Sequence, residues 1–97
     1  MTLSTHILDT EQGMPAAGVQ VTLYRGEELI SRQTTDEDGR IANLASEPSP
    51  PGTYRLVFHV HGAFFEQVEL SLTLAEDRHY HVPLLLSSYA CASYRGS

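Results

Sequence analysis

The sequence predicts an all-β protein, a β-sandwich of seven or eight strands with Greek-key-like connections. Three observations carry that expectation. Apolar and polar residues alternate with period two in short runs along the whole chain. Turn signals separate the runs at near-regular spacing, and no stretch of useful length carries the helical period. At 97 residues the chain suits a single domain, 1–97, able to bury roughly 60–65% of its extended surface.

The elements follow in order. Residues 3–8 alternate weakly, with Leu3, Thr5 and Ile7 against Ser4, His6 and Leu8. Residues 12–18, QGMPAAG, read as a loop. Val19, Val21 and Leu23 alternate with Gln20, Thr22 and Tyr24, the pattern of a half-buried strand. After a turn at 25–28, Leu29–Thr35 form the next strand. Asp-Gly in DEDG, residues 36–39, marks a tight turn, and Arg40–Leu44 continue as a short strand. Residues 46–52, SEPSPPG, are loop, because their prolines lack ladder donors. Tyr54, Leu56, Phe58 and Val60 alternate with Arg55, Val57, His59 and His61 in the next strand. Val68, Leu70, Leu72 and Leu74 do so with Glu69, Ser71 and Thr73 in another. AEDR at 75–78 turns into HYHVPLLL, and a last strand spans about Tyr89–Arg95.

Composition excludes several functions. Hydrophobic residues make up 41% of the chain and charged residues 19%, an ordinary globular balance. Six basic residues against twelve acidic ones leave a net charge of −6, which argues against a nucleic-acid partner. No apolar run approaches membrane-spanning length and the amino terminus lacks a secretory pattern, so no membrane partner is expected and the cytoplasm is the default location. The single cysteine, Cys91, has no internal disulfide partner and is expected to be packed.

The histidines pose the functional question. On a strand, His79, His81, Pro83 and Leu85 share one face, while Tyr80, Val82, Leu84 and Leu86 share the other. The second face is apolar throughout, so it is the core face. The first combines imidazoles with large aliphatics, as His6 and Leu8 also do. Such a mixed face is either a packed surface or a pocket or subunit interface. Two imidazoles alone do not make a zinc centre, and no zinc spacing is present. Phosphate-binding glycine loops, nucleophile elbows and activated serines are also missing. Arg40, after the Asp-Gly turn, is either an exposed hairpin charge or a rigid fork for a planar carbonyl or anionic heterocycle. The ending Tyr94-Arg95-Gly96-Ser97 continues a strand and therefore presents its polar groups in a fixed place.

LSTHILDT at 3–10 with GMPAAGVQVTL at 13–23, DGRI at 38–41, and HYHVPLLLS at 79–87 with the terminal YRGS together resemble the transthyretin-related family. The histidines, the arginine and the YRGS ending resemble its enzyme branch, the 5-hydroxyisourate hydrolases, rather than its hormone carriers. The resemblance spans nearly the whole chain. It implies a transthyretin-like sandwich assembled as a homotetramer, a dimer of dimers, with active sites in a channel at the dimer–dimer interface. It implies catalytic roles for His6, Arg40 and His81, with Tyr94, Ser97 and Arg40 contacting substrate. The implied reaction opens the ring of 5-hydroxyisourate to give 2-oxo-4-hydroxy-4-carboxy-5-ureidoimidazoline, with neither metal nor organic cofactor. One histidine would act as base and the other as acid or orienting partner. The competing expectation is a non-catalytic tetramer that binds small molecules in the same channel.

Two departures from the family pattern stand out. Only VHGAFF separates Phe58–His59 from the following strand, so the short helix usual there is expected to be missing or reduced. SSYACASYRGS replaces a segment close to SPYGYSTYRGS, and Ala90 and Ala92, expected on the face of Tyr94, would alter the channel wall.

Overall fold

The structure, a computed structural model, describes residues 1–45 and 48–96. Its strands are β1 (Thr2–Asp9), β2 (Met14–Pro15), β3 (Gln20–Arg25), β4 (Glu28–Thr34), β5 (Arg40–Ile41), β6 (Gly52–His59), β7 (Val68–Leu74), β8 (His79–Leu86) and β9 (Cys91–Ser93). They form two sheets. One has the order β2-β1-β8-β9, with β5 also paired to β1; the other has the order β4-β3-β6-β7. Among the described residues only β1 and β8 run parallel; the other pairs are antiparallel. The expected all-β sandwich is the observed one, but the described residues form nine strands rather than seven or eight, because Met14–Pro15 pairs with the β1 edge as an additional short strand.

The core lies between the sheets. Leu3, Ile7, Val82 and Leu84 from the first meet Val21, Leu23, Tyr54, Leu56 and Phe58 from the second, and none exceeds 4% exposure. On β1 and β8 the inward parity is the one expected, with buried and part-buried residues alternating along β1. Thr5 sits among these apolar groups because its hydroxyl donates to the Val82 carbonyl at 2.6 Å, which removes the cost of an unpaired buried hydroxyl. Tyr54 places its ring in the core and its hydroxyl on the Pro50 carbonyl, tying the loop before β6 to the sandwich.

Several boundaries differ from the sequence expectation. Met14 and Pro15, expected in a loop, pair with Asp9 and Leu8; an adjacent β1 edge supplied partners that local composition does not reveal. The strand expected over 40–44 stops at Ile41, although the Leu44 N–H still donates to the Leu3 carbonyl at 2.7 Å. The final strand is three residues long. Of the loop expected at 46–52, residues 46 and 47 lie outside the described residues, and Gly52 already begins β6. Cys91, expected to be packed, is exposed. It opens a short edge strand and faces Leu86, itself only half-buried.

Between β6 and β7 no helix forms. The Gly62 N–H donates to the Phe65 carbonyl at 2.8 Å and the His61 N–H to the Glu66 carbonyl at 3.0 Å, closing a tight turn. His61 takes a positive φ of 47°, uncommon for a residue with a side chain; its Nδ1 pairs with Glu66 Oε1 at 2.7 Å.

Candidate active site

The outer face of the first sheet carries the imidazoles, and strand register arranges them. Across the parallel β1–β8 pair, Thr2 stands opposite His79, Ser4 opposite His81, His6 opposite Pro83 and Leu8 opposite Leu85. On the other edge of β1, Arg40 stands opposite His6, and on β8, Ala92 stands opposite Leu85. Because side chains alternate, these groups project to the same side. Three motifs far apart in the chain thus share one patch. Directly opposed antiparallel residues have Cβ atoms about 5 Å apart, so Arg40 and His6 are immediate neighbours, and His81 is diagonal to His6.

Local chain chemistry sets that register. Gly39 has φ +73°, and a side chain there would begin 2.5 Å from the Ile7 carbonyl oxygen. Its own carbonyl accepts the Ile7 N–H at 2.8 Å. Glycine therefore lets the turn press against β1 and deliver Arg40 beside His6. Asp36 braces the turn, with Oδ1 accepting the N–H of Asp38 at 2.9 Å and of Arg40 at 3.0 Å. At the other end of the patch the Gly96 N–H donates to the His81 carbonyl at 2.7 Å. A Cβ at position 96 would lie 2.6 Å from His81 Cδ2, so the glycine of YRGS is what allows the terminal segment to lie against the imidazole.

His81 is half-buried, and its Nδ1 is engaged by Ser4 Oγ at 2.7 Å. Its pKa is lowered from the ordinary 6.5, first by desolvation and then by the charges of Arg40, His6 and His79. The ring is therefore neutral at neutral pH, and among the described residues its Nε2 has no hydrogen-bond partner. A neutral imidazole beside a guanidinium combines a proton acceptor with a rigid pair of anion-stabilising donors. Among the described residues no three His, Cys, Asp or Glu side chains converge as a metal-binding group.

Residues 3–96 match the model of the HIUase/Transthyretin family. The chain belongs to that family. It is 41% identical to the 5-hydroxyisourate hydrolase of Pseudomonas aeruginosa, with 98% of this chain and 90% of the relative covered. That alignment runs over 114 positions, more than the 97 residues present here, so the relative carries segments that this chain lacks. The fold superposes on Klebsiella pneumoniae 5-hydroxyisourate hydrolase with a TM-score of 0.93, 34% identity and full coverage of both chains. It superposes on sea bream transthyretin, solved in complex with thyroxine, with a TM-score of 0.85 and 28% identity, covering 97% of this chain and 93% of that one.

Within this family member, His6, Arg40 and His81 share the patch, and Tyr94 does not join them within one chain. Tyr94 is 58% exposed and lines an open groove of about 280 Å³ with Leu70, Leu72, Tyr80 and Val82, on the core side of β8. The shared face expected for Ala90, Ala92 and Tyr94 dissolves accordingly. Ala92 pairs with Leu85, the Ala90 carbonyl closes a turn with the Ser87 N–H at 2.9 Å, and the ladder ends before Tyr94. Ser97 lies outside the described residues. The sequence expectation gave neither Ser4 nor His79 a role at the site. Parity alone puts both on the imidazole face, but only the parallel register of β1 against β8 shows that they touch.

Proposed function

We propose that this protein is a hydrolase that opens the ring of 5-hydroxyisourate, yielding 2-oxo-4-hydroxy-4-carboxy-5-ureidoimidazoline, in the degradation of urate. The observation that carries the reading is the meeting of His6, Arg40 and His81 on one face in a chain of this family. A water molecule attacks the ring carbonyl while His81 Nε2 takes its proton. Arg40 directs two N–H groups at the oxygen that becomes negative. The ring C–N bond then breaks, and the departing nitrogen receives a proton from an imidazolium, with His6 as the acid or orienting partner. Tyr94 and Ser97 are assigned to substrate by the family resemblance alone, since Tyr94 lines the groove on the core side of β8 and Ser97 lies outside the described residues.

The active assembly in this reading is a homotetramer, a dimer of dimers, whose channel is walled by the imidazole faces. Half-buried Leu8 and Leu85 beside those imidazoles support it, since apolar groups gain from being covered. A cytoplasmic location accords with a single exposed thiol. The test is addition of freshly prepared 5-hydroxyisourate, with decay corrected for spontaneous hydrolysis. Catalysed decay is expected. Decay no faster than buffer, in folded tetramer, would sink the reading and leave a small-molecule-binding tetramer.

A further inference from the structure

Two imidazoles and two hydroxyls form a continuous hydrogen-bonded line on the outer face of the first sheet. Thr2 Oγ1 lies 2.6 Å from His79 Nδ1. His79 Nε2 lies 2.9 Å from Ser4 Oγ, and Ser4 Oγ lies 2.7 Å from His81 Nδ1. His79 is exposed, yet both its ring nitrogens are taken by protein oxygens. The parallel register explains the contacts, with Thr2 opposite His79 and Ser4 opposite His81. We propose that Ser4 and His79 are positioning residues for His81, forming a proton relay in which the Ser4 hydroxyl sets the tautomer of the His81 ring. The catalytic role of this relay rests on the hydrolase reading above; its hydrogen-bond order does not.

A serine hydroxyl has a single proton to donate, and here two imidazole nitrogens lie on it. If Ser4 donates to His79 Nε2, then His81 Nδ1 must carry the proton that bonds Ser4, and His81 Nε2 is bare. If Ser4 donates to His81 Nδ1, His81 carries its proton on Nε2, and His79 Nε2–H donates to Ser4. The first order presents a base to the outside and the second presents an acid.

The two orders interconvert without net change at Ser4. When His81 Nε2 takes a proton from water, its Nδ1 proton passes to Ser4 Oγ, and the Ser4 proton passes to His79 Nε2. His81 is then neutral with Nε2–H, Ser4 is again a hydroxyl, and the positive charge rests on His79. The reverse shift returns the charge. The direction is favoured because His81 is half-buried next to Arg40, whereas His79 is exposed to water. Among the described residues, the titratable and charged groups around His81 are His6 from β1, Arg40 from β5 and His79 from β8. The terminal segment brings uncharged Gly96, and Arg95 lines the groove on the core side.

The test has two arms. Long-range nitrogen–proton NMR of the substrate-free protein, above the His81 titration, should show Nδ1 protonated and Nε2 bare. In Ser4→Ala the population should move toward Nε2–H, and Ser4→Thr should restore the original form. An unchanged His81 tautomer in a folded Ser4→Ala overturns the proposal. In turnover, Ser4→Ala should lower kcat roughly 3- to 10-fold, the size of one hydrogen bond, at nearly constant KM, with recovery in Ser4→Thr. His79→Gln should move the acid limb of kcat/KM to higher pH, because a charge that depresses His81 is gone. Normal kcat in Ser4→Ala and an unmoved acid limb in His79→Gln overturn the catalytic role. A wild-type protein that fails to accelerate decay sinks the hydrolase reading instead, and the NMR arm still decides the hydrogen-bond order.

Discussion

The lowered pKa of His81 has identifiable causes in its surroundings. Its proton affinity is reduced by burial and by the adjacent guanidinium of Arg40, so it stays neutral below the pH at which an ordinary histidine charges. Replacing Arg40 with Gln removes one of those causes. The NMR titration midpoint of His81 is then expected to rise toward 6.5; an unchanged midpoint would mean that Arg40 does not act on the ring. The same shift has a stability consequence. The unfolded chain binds this proton more readily than the folded one, so stability is lost as pH falls through 6.5 toward the folded-state pKa and is insensitive to this group above that window. For catalysis, His81→Asn or His6→Asn should each cost roughly 100- to 10,000-fold in turnover, the range for a lost general acid or base. Arg40→Lys keeps the charge but not the planar fork, and productive placement of substrate should suffer. Near-normal rates in all three variants, measured on protein checked for assembly, would show that the reaction occurs elsewhere.

At the scale of elements, the placement of Arg40 beside His6 depends on a backbone contact. The DEDG turn approaches β1 closely enough that a methyl group on Gly39 would meet the Ile7 carbonyl, and the glycine has a positive φ. Gly39→Ala should destabilise the fold by about 1–3 kcal/mol and lower turnover further by displacing Arg40. Chemical denaturation and a rate measurement on the residual folded fraction separate the two effects. If Gly39→Ala is as stable and active as the parent, β5 does not need its close approach. The β6–β7 connection makes a contrasting demand. Its turn is closed by the Gly62–Phe65 hydrogen bond, and Cα chemical shifts over 59–67 should show no helical run. Eight consecutive helical shifts there would contradict the fold.

For the whole molecule, the proposed tetramer covers the imidazole face. A charged group at its apolar end opposes burial, since an unpaired carboxylate is costly to desolvate. Leu85→Glu, on the row with Leu8 and Ala92, should shift sedimentation at micromolar concentration from four chains to smaller species and reduce turnover with it. A stable wild-type monomer would remove the channel altogether. A tetramer unaffected by Leu85→Glu would move the interface to another face.

Much of this protein is determined by its sequence alone. Period-two alternation decides which side of each long strand is buried, because a strand has only two faces and water rejects one of them. Inward Leu3, Ile7, Val82 and Leu84 and outward His6 and His81 follow from that rule. The DGR and HYHVP motifs name the candidate site groups, and the glycines in DGRI and YRGS meet local backbone demands. What the alternation leaves undecided is which strand lies beside which, and in what register, since any two strands with an apolar face satisfy it equally. Only the tertiary structure sets β1 parallel to β8 and β5 against β1. Those pairings bring Arg40 to His6, run a line of hydrogen bonds from Thr2 through His79 and Ser4 to His81, turn a short loop into β2, and leave Cys91 uncovered at an edge. Each is a long-range contact chosen by packing two whole sheets together, and no window of local sequence contains that information.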